Sequence, residues 1–461
     1  MEEKNITKIT HDETRVLGKI KAMHAVGQPP FLGTDYSYIH YLKEAHIPYS
    51  RLHDVGHWFG GNMYVDIPNI FRDFDADVED PASYDFTFTD LLLAALMENG
   101  CEPYYRLGVT IENFHEIKAY RIFPPKDPHK WARICEHIIR HYNEGWADGF
   151  HYNIQYWEIW NEPDDGFDIR ENAMWKGTPE QFFELYRVTS LHLRKCFGNS
   201  IKIGAYGACN FSAIFNENTR DFMATAGEVQ LSDIAKYTGI EKRILEFVNF
   251  FQRFTKMVKE ENLPFDFFSW HSYYSVPNTV AQQKYVEARF DELGLSPEIH
   301  ITEWRPNPYQ PTRGKSEDCA KAIAMMCAMH ETRANVMCYY DAQIGVSRYA
   351  GLFNKLAYPP YCEVYCAYYG FKAFGELYTM GTQIACASDS PDVYTIAATD
   401  GERNGILIAN RGPETTLACD LREGAKVYLI DENHMMEEIS VDKNEIPLIV
   451  DGVVYIEEPR A

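Results

Sequence analysis

The chain has 461 residues, 46% of them hydrophobic and 24% charged, with a formal net charge of −23 at pH 7. That length suits one large unit plus a smaller one, each with a filled core. The acidity excludes a nucleic-acid partner, which needs a basic face, and disfavours an anionic membrane surface. No run of about 18 apolar residues occurs, so no membrane span is expected.

The start, MEEKNITKITHDETRVLG, lacks a basic lead followed by an apolar stretch, so no secretory signal is expected and the cytoplasm is the expected location. The 11 cysteines are odd in number and scattered, with Cys135, Cys319, Cys327 and Cys338 in apolar runs. They read as free thiols of a reducing compartment. Cys362 and Cys366 stand four apart with no His pair nearby, so neither a metal nor another cofactor is expected. The 14% aromatic content fits a sugar cleft and equally fits a large aromatic core.

In chain order, eight β-type runs alternate with amphipathic stretches between about residues 19 and 378. The predicted strands are Ile20–Ala25, Pro48–Asp54, Glu102–Leu107, Tyr156–Glu162, Ile201–Ala205, Phe265–His271, Ile299–Glu303 and Val336–Asp341. Helical patterns follow at Thr89–Asn99, Trp131–Tyr142, Gln181–Phe197, Arg243–Lys259, Ala281–Leu293, Cys319–His330 and Cys362–Leu377. Eight such alternations imply parallel βαβ units closing into a (β/α)8 barrel, an α/β fold with its catalytic groups at the carboxyl ends of strands. A doubly wound open sheet is the competitor, but no Gly-rich phosphate turn follows the first strand. Beyond 378 the runs Val393–Ala397, Gly405–Asn410, Lys426–Ile430 and Val453–Ile456, punctuated by Asp400-Gly401 and Asn404-Gly405, predict a smaller antiparallel β-sandwich over 379–461. Residues 1–18 carry little barrel signal and are candidates to add a strand to it.

Two strand ends carry chemistry. The fourth reads Tyr156-Trp157-Glu158-Ile159-Trp160-Asn161-Glu162-Pro163, whose alternation puts Glu158, Trp160 and Glu162 on one face. A carboxyl at a barrel mouth between aromatic walls has its pKa raised, as a proton donor at neutral pH requires. The seventh reads Ile299-His300-Ile301-Thr302-Glu303-Trp304-Arg305-Pro306. A nucleophilic carboxylate there must stay ionised, which Arg51 or Arg305 would secure. Strands four and seven face each other across an eight-stranded mouth, so the two carboxyls meet in one cleft. For either Glu the plain alternative is an ion pair with an arginine.

W-E-I-W-N-E-P and H-I-T-E-W on strands four and seven resemble the clan A glycoside hydrolases, and within them family 39, the β-xylosidase and α-L-iduronidase group. Arg51-Leu52-His53-Asp54, the run Tyr84–Asp90, Pro124–Asp127 and Trp270-His271-Ser272-Tyr273 match in the same order, so the likeness spans roughly residues 20–310. It implies a retaining glycosidase of β-D-xylosidase type acting on terminal sugars of an oligosaccharide or glycoside. It further implies Glu162 as general acid/base, Glu303 as nucleophile and Asn161 on the hydroxyl beside the anomeric carbon. His271 and Tyr273 would touch the nucleophile or the ring, and His53 a distal hydroxyl.

The sequence departs from that family at the sugar subsite. Strand eight carries Tyr340 where the xylosidases have Trp, no acidic pair follows it, and Asp341 or Gln343 would take over hydrogen bonding. Trp58 and Trp304 are candidate stacking platforms, as is Trp270. Arg106 and Arg305 either fork a uronate carboxylate or brace the catalytic acids, and bracing is the favoured reading. The alternatives are the same mechanism on an α-L-arabinoside, β-galactoside or uronide, a transferase using the same intermediate, and a barrel that binds glycans without cleaving them. A homo-oligomer is left open.

Overall fold

The computed structural model describes residues 5–30, 38–55, 65–110, 122–209, 228–306, 312–343, 349, 351–353, 364–441 and 445–460. Eight parallel strands form a closed barrel: β2 (Ala22–Gly27), β3 (Tyr49–Leu52), β4 (Glu102–Leu107), β5 (Tyr156–Ile159), β6 (Lys202–Ala208), β7 (Phe267–Ser272), β8 (Glu298–Trp304) and β9 (Ala334–Tyr339). Each pairs with the next in sequence, and β9 returns to β2 through Ala25–Cys338 and Val26–Tyr339. These are the predicted strands shifted by a few residues at their ends, which is where boundaries are least defined.

The helices between them are α1 (Ile39–Glu44), α2 (Ile67–Ile70), α3 (Thr87–Glu98), α4 (Pro128–Glu144), α5 (Pro179–Phe197), α6 (Leu231–Ile234), α7 (Gly239–Glu260), α8 (Val276–Leu293), α9 (Ser316–His330) and α10 (Cys366–Met380). Local sequence sets their ends. Asp127 caps α4 through the His129 and Lys130 amides, Pro128 opens it, and Gly145 closes it at φ +76°. Thr178 and Gln181 form a reciprocal capping box at the start of α5. Among the described residues no helix is long and apolar enough to cross a membrane. The ten described cysteines are all unpaired; Cys362 lies outside the described residues.

The remaining strands are β1 (Ile6–Lys19), β10 (Thr382–Ser388), β11 (Val393–Thr399), β12 (Arg403–Asn410), β13 (Thr415–Cys419), β14 (Lys426–Ile430), β15 (Met435–Ile439), β16 (Glu445–Leu448) and β17 (Val453–Pro459). They make one nine-stranded sheet in the order β15-β14-β17-β12-β11-β10-β1-β13-β16. The expected antiparallel sandwich is therefore corrected in detail. The strands belong to a single mixed sheet, because β1 runs antiparallel to β10 but parallel to β13. The sheet curls so that one face encloses its own core, with Ile9, Ile384, Ile406, Ile408, Leu417, Ile446, Val454 and Ile456 in one cluster. The alternate residues Ile396, Leu407, Ala409, Val453 and Tyr455 join the barrel's core against α9 and α10.

Candidate active site

Side chains alternate between the inside and outside of the barrel, and polar ones fill the upper interior. On β5, Trp157 and Ile159 face the helices while Glu158 points inward and is fully buried. A buried carboxylate needs a partner. Arg51 of β3 supplies it, donating from Nε to Glu158 Oε2 at 2.7 Å, from Nη1 to Glu303 Oε1 at 2.9 Å and from Nη2 to Asn161 Oδ1 at 2.5 Å. One guanidinium thus ties strands three, five and eight together under the mouth. Burial works against its charge, but Glu158 and Glu303 more than offset this and hold it protonated.

Strand β5 stops at Ile159, and Trp160 (φ +72°) and Glu162 (φ +45°) take left-handed backbone. The expected alternation therefore breaks. Trp160 turns outward onto Trp131 and Trp175, leaving Glu162 as the group that reaches the cleft. The Glu162 amide is fixed by the carbonyls of Tyr206 and Gly207 at 3.0 and 3.1 Å. A register shift between Trp270 and His271 brings His271 level with Glu303. His271 Nδ1 lies 2.6 Å from Glu162 Oε1 and 3.7 Å from Glu303 Oε2. An oxygen of Glu162 stands within 4.8 Å of an oxygen of Glu303. The Tyr273 hydroxyl donates to Glu303 Oε2 at 2.6 Å.

Burial pushes both carboxyls upward, Glu162 to about 7. At Glu303 the neighbouring His271, then the Arg51 charge and the Tyr273 hydrogen bond, oppose that rise. Burial also lowers His271 to about 4, so the imidazole is neutral at pH 7 and either donates to the Glu162 carboxylate or accepts from its carboxyl.

Among the described residues, two groups of side chains have donors close enough to share a cation: Glu162, His271 and Glu303, and Glu136, His192 and Cys196 between α4 and α5. Both already carry protein partners, Arg51 on Glu303 and Arg140 on Glu136.

Of the other residues singled out in the sequence, His53 is in the cleft. Its Nδ1 accepts from Arg106 Nε at 3.2 Å, and its Nε2 lies 3.8 Å from Glu303 Oε1. Asn161 and His271 are buried, and their Nδ2 and Nε2 atoms have no hydrogen-bond partner among the described residues. Tyr340 is there too, but its hydroxyl is engaged, donating to Asp54 Oδ2 at 3.0 Å and accepting from Gln28 Nε2. Asp341 is fully buried and accepts from the Gln343 amide, so it is not presented to a substrate. Trp304 follows the alternation outward and packs on Tyr339 and Phe371. It is no stacking platform, and Trp270, bonded to Gln283, likewise faces away. Trp58 lies outside the described residues. Neither extra arginine has a described hydrogen bond or ion pair to Glu162 or Glu303. Arg106 binds Asp66 at 2.7 Å and His53, while Arg305 binds Asp318 at 2.7 Å and the Tyr349 carbonyl.

Sequence reasoning missed Gly207. It has φ +60°, and a Cβ there would stand 3.0 Å from His271 Nε2, 3.1 Å from Arg51 Nη2 and 3.1 Å from Asn161 Oδ1. Gly207→Ala is expected to add about 1–2 kcal/mol of backbone strain and to displace three site groups at once. The expected kcat/KM is lower by about 10²-fold, with a reduced melting temperature. Unchanged kinetics and melting would show that the packing tolerates a methyl group.

A polar well at the carboxyl ends of parallel barrel strands, holding two acids with opposed surroundings, is the arrangement of a sugar-cleaving (β/α)8 enzyme. The chain belongs to glycosyl hydrolases family 39, whose family model matches residues 34–339. The family's description is that of glycosyl hydrolases. A β-xylosidase of Caldicellulosiruptor saccharolyticus is 27% identical over 212 residues, which are 42% of this chain and 39% of that protein. The match thus spans about two-fifths of the relative's length. Among solved structures, a glucosidase from Croceicoccus marinus superposes with a TM-score of 0.75 at 19% identity over 100% of both chains. A family 39 β-xylosidase from Caulobacter crescentus gives 0.62 at 16% identity, over 98% of this chain and 100% of that one.

Proposed function

We propose that the enzyme is a retaining glycosidase that releases a terminal sugar, β-D-xylose first among the candidates, by double displacement. The observation that carries this reading is the separation of the two acids. Oxygens within 4.8 Å of each other leave no room for a water between carboxylate and sugar. Retention uses carboxyls about 5–5.5 Å apart, whereas inversion needs about 6.5–9.5 Å. Glu303 attacks the anomeric carbon as Glu162 passes its proton to the departing oxygen. The C–O bond to the leaving group breaks as the ester bond to Glu303 forms. Glu162, now a carboxylate, takes a proton from water, which displaces Glu303 and restores the starting state.

The surroundings support these roles. With Glu162 protonated, Arg51, Glu158 and Glu303 carry one net negative charge beneath the anomeric carbon, which becomes positive in the transition state. The xylose preference draws on the family and on the Caldicellulosiruptor β-xylosidase. Arg106 is paired with Asp66 and His53 and Arg305 with Asp318, which leaves Arg106 Nη1 and Arg305 Nε as their buried nitrogens without a partner among the described residues. Incubation with 4-nitrophenyl β-D-xyloside, followed by NMR before mutarotation, tests the proposal. β-Xylose as the first product is expected, and α-xylose would overturn the retaining mechanism. A panel of aryl arabinosides, galactosides and uronides ranks the sugars by kcat/KM.

A further inference from the structure

The family resemblance leaves a gap, since this sequence has no acidic pair after the eighth barrel strand to bind the sugar. The structure brings a carboxylate to the glycone end from another element. Asp54 follows β3 at φ +51°, a conformation that Asp tolerates better than most residues. Its Oδ2 accepts from the Tyr340 hydroxyl at 3.0 Å, and its Oδ1 lies 3.4 Å from His53 Nε2. The same Nε2 is 3.8 Å from Glu303 Oε1, so one imidazole separates Asp54 from the acid that attacks the sugar.

The protonation pattern is fixed by neighbours. Arg106 has no acceptor to offer, so His53 Nδ1 takes its hydrogen bond and the ring's proton sits on Nε2, facing Asp54 and Glu303. Burial, then Arg106 and Arg51, keep that ring neutral. Tyr340 spends its one proton on Asp54 and a lone pair on Gln28, which holds the Asp54 carboxylate in place. The Asp54 side chain is 18% exposed, against 4% for His53, 7% for Glu303 and 14% for Glu162.

We propose that Asp54 is the carboxylate that reads the sugar hydroxyls remote from the scissile bond, that Tyr340 is its positioning residue, and that the site therefore selects a neutral glycone over a uronide. Vicinal hydroxyls match the side-by-side acceptor and donor of Asp54 and His53, whereas a uronate would face a carboxylate. Arg51, Arg106 and Arg305 are each tied to a carboxylate, Glu158, Asp66 and Asp318 respectively, although Arg106 Nη1 and Arg305 Nε keep no hydrogen-bond partner among the described residues. This inference rests on the glycosidase reading above and names the substrate class of the same site.

The test uses the aryl glycoside that the wild type hydrolyses fastest, its monodeoxy analogues and the matching uronide. Asp54→Asn is expected to lower kcat/KM on the parent about 10- to 100-fold, the value of a hydrogen bond to a charged group. The deoxy analogue lacking the hydroxyl that Asp54 reads should be a comparably poor substrate for the wild type, yet cost the variant nothing more. Tyr340→Phe should show the same position-specific coupling at smaller size, which a general loosening of the fold would not produce. Losses that multiply independently at every deoxy position, or a wild type preferring the uronide, would overturn the proposal. A wild type that cleaves no glycoside would sink the catalytic reading itself, and that outcome is read without any variant.

Discussion

Glu303→Ala is expected to lower kcat on an aryl glycoside by on the order of 10⁵-fold, the scale on which deletion of a nucleophile acts in other covalent mechanisms. Nothing else in the cleft substitutes for it. Glu162 is held as the proton donor by a pKa raised to about 7, Glu158 is sealed beneath Arg51, and the Tyr273 hydroxyl is held in its neutral form by burial and by Glu303. Removing the side chain also opens a pocket beside Arg51 Nη1, which has lost its acceptor. Azide fits there, carries the missing charge and attacks the anomeric carbon once. The expected product is a glycosyl azide of inverted configuration, identified by NMR. Full activity in the variant, or no azide adduct with an activated leaving group, would remove Glu303 from the role of nucleophile.

Glu162 predicts a different signature. Burial raises its pKa from the ordinary 4.5 to about 7, and the first step needs its proton. The protonated fraction falls as pH rises through that value, so kcat/KM should decline above about pH 7. In Glu162→Gln this limb disappears. With a poor leaving group the loss is about 10²- to 10⁴-fold, the usual scale of general acid catalysis. With a good leaving group the sugar still reaches Glu303 but leaves slowly, because no base activates water. Azide then restores turnover and yields the retained glycosyl azide, opposite to the Glu303 variant. A raised folded-state pKa contributes stability that is present at low pH and lost between about 4.5 and 7. Above pH 7 the glutamine variant should therefore melt higher than the wild type. An unchanged pH profile in Glu162→Gln would transfer the acid role to another group.

The barrel was legible because its strands are short apolar runs separated by patterns of helical period, with no Gly-rich phosphate turn after the first strand to favour an open sheet. Glu162 and Glu303 were legible as mouth residues because each ends such a run. Side-chain direction beyond a strand end was not. Strict alternation put Trp160 beside Glu162, but the left-handed backbone at residues 160 and 162 sends the indole into the core. Trp304 was read as cleft-lining from its proximity to Glu303, although alternation already pointed it outward. Asp54 was named only within the run Arg51-Leu52-His53-Asp54, and its pairing was not legible because its partner Tyr340 lies 286 residues away. Arg51 was visible as a brace, but not that one guanidinium serves Glu158, Asn161 and Glu303 together. For Gly207, a glycine closing an apolar strand run was the available signal.

Strand β1 lies inside the second sheet, flanked by β10 and β13, with Ile9 opposite both Ser388 and Cys419. This strand therefore waits during synthesis for partners about four hundred residues downstream. Until they arrive, both of its edges are bare and open to pairing with other chains. Shortening the amino terminus would also split the finished sheet into a six-stranded and a two-stranded fragment, each with a fresh sticky border. An expression design that trims or masks residues 6–19 should thus yield aggregates, even though the proposed catalytic pair, Glu162 and Glu303, belongs to the barrel.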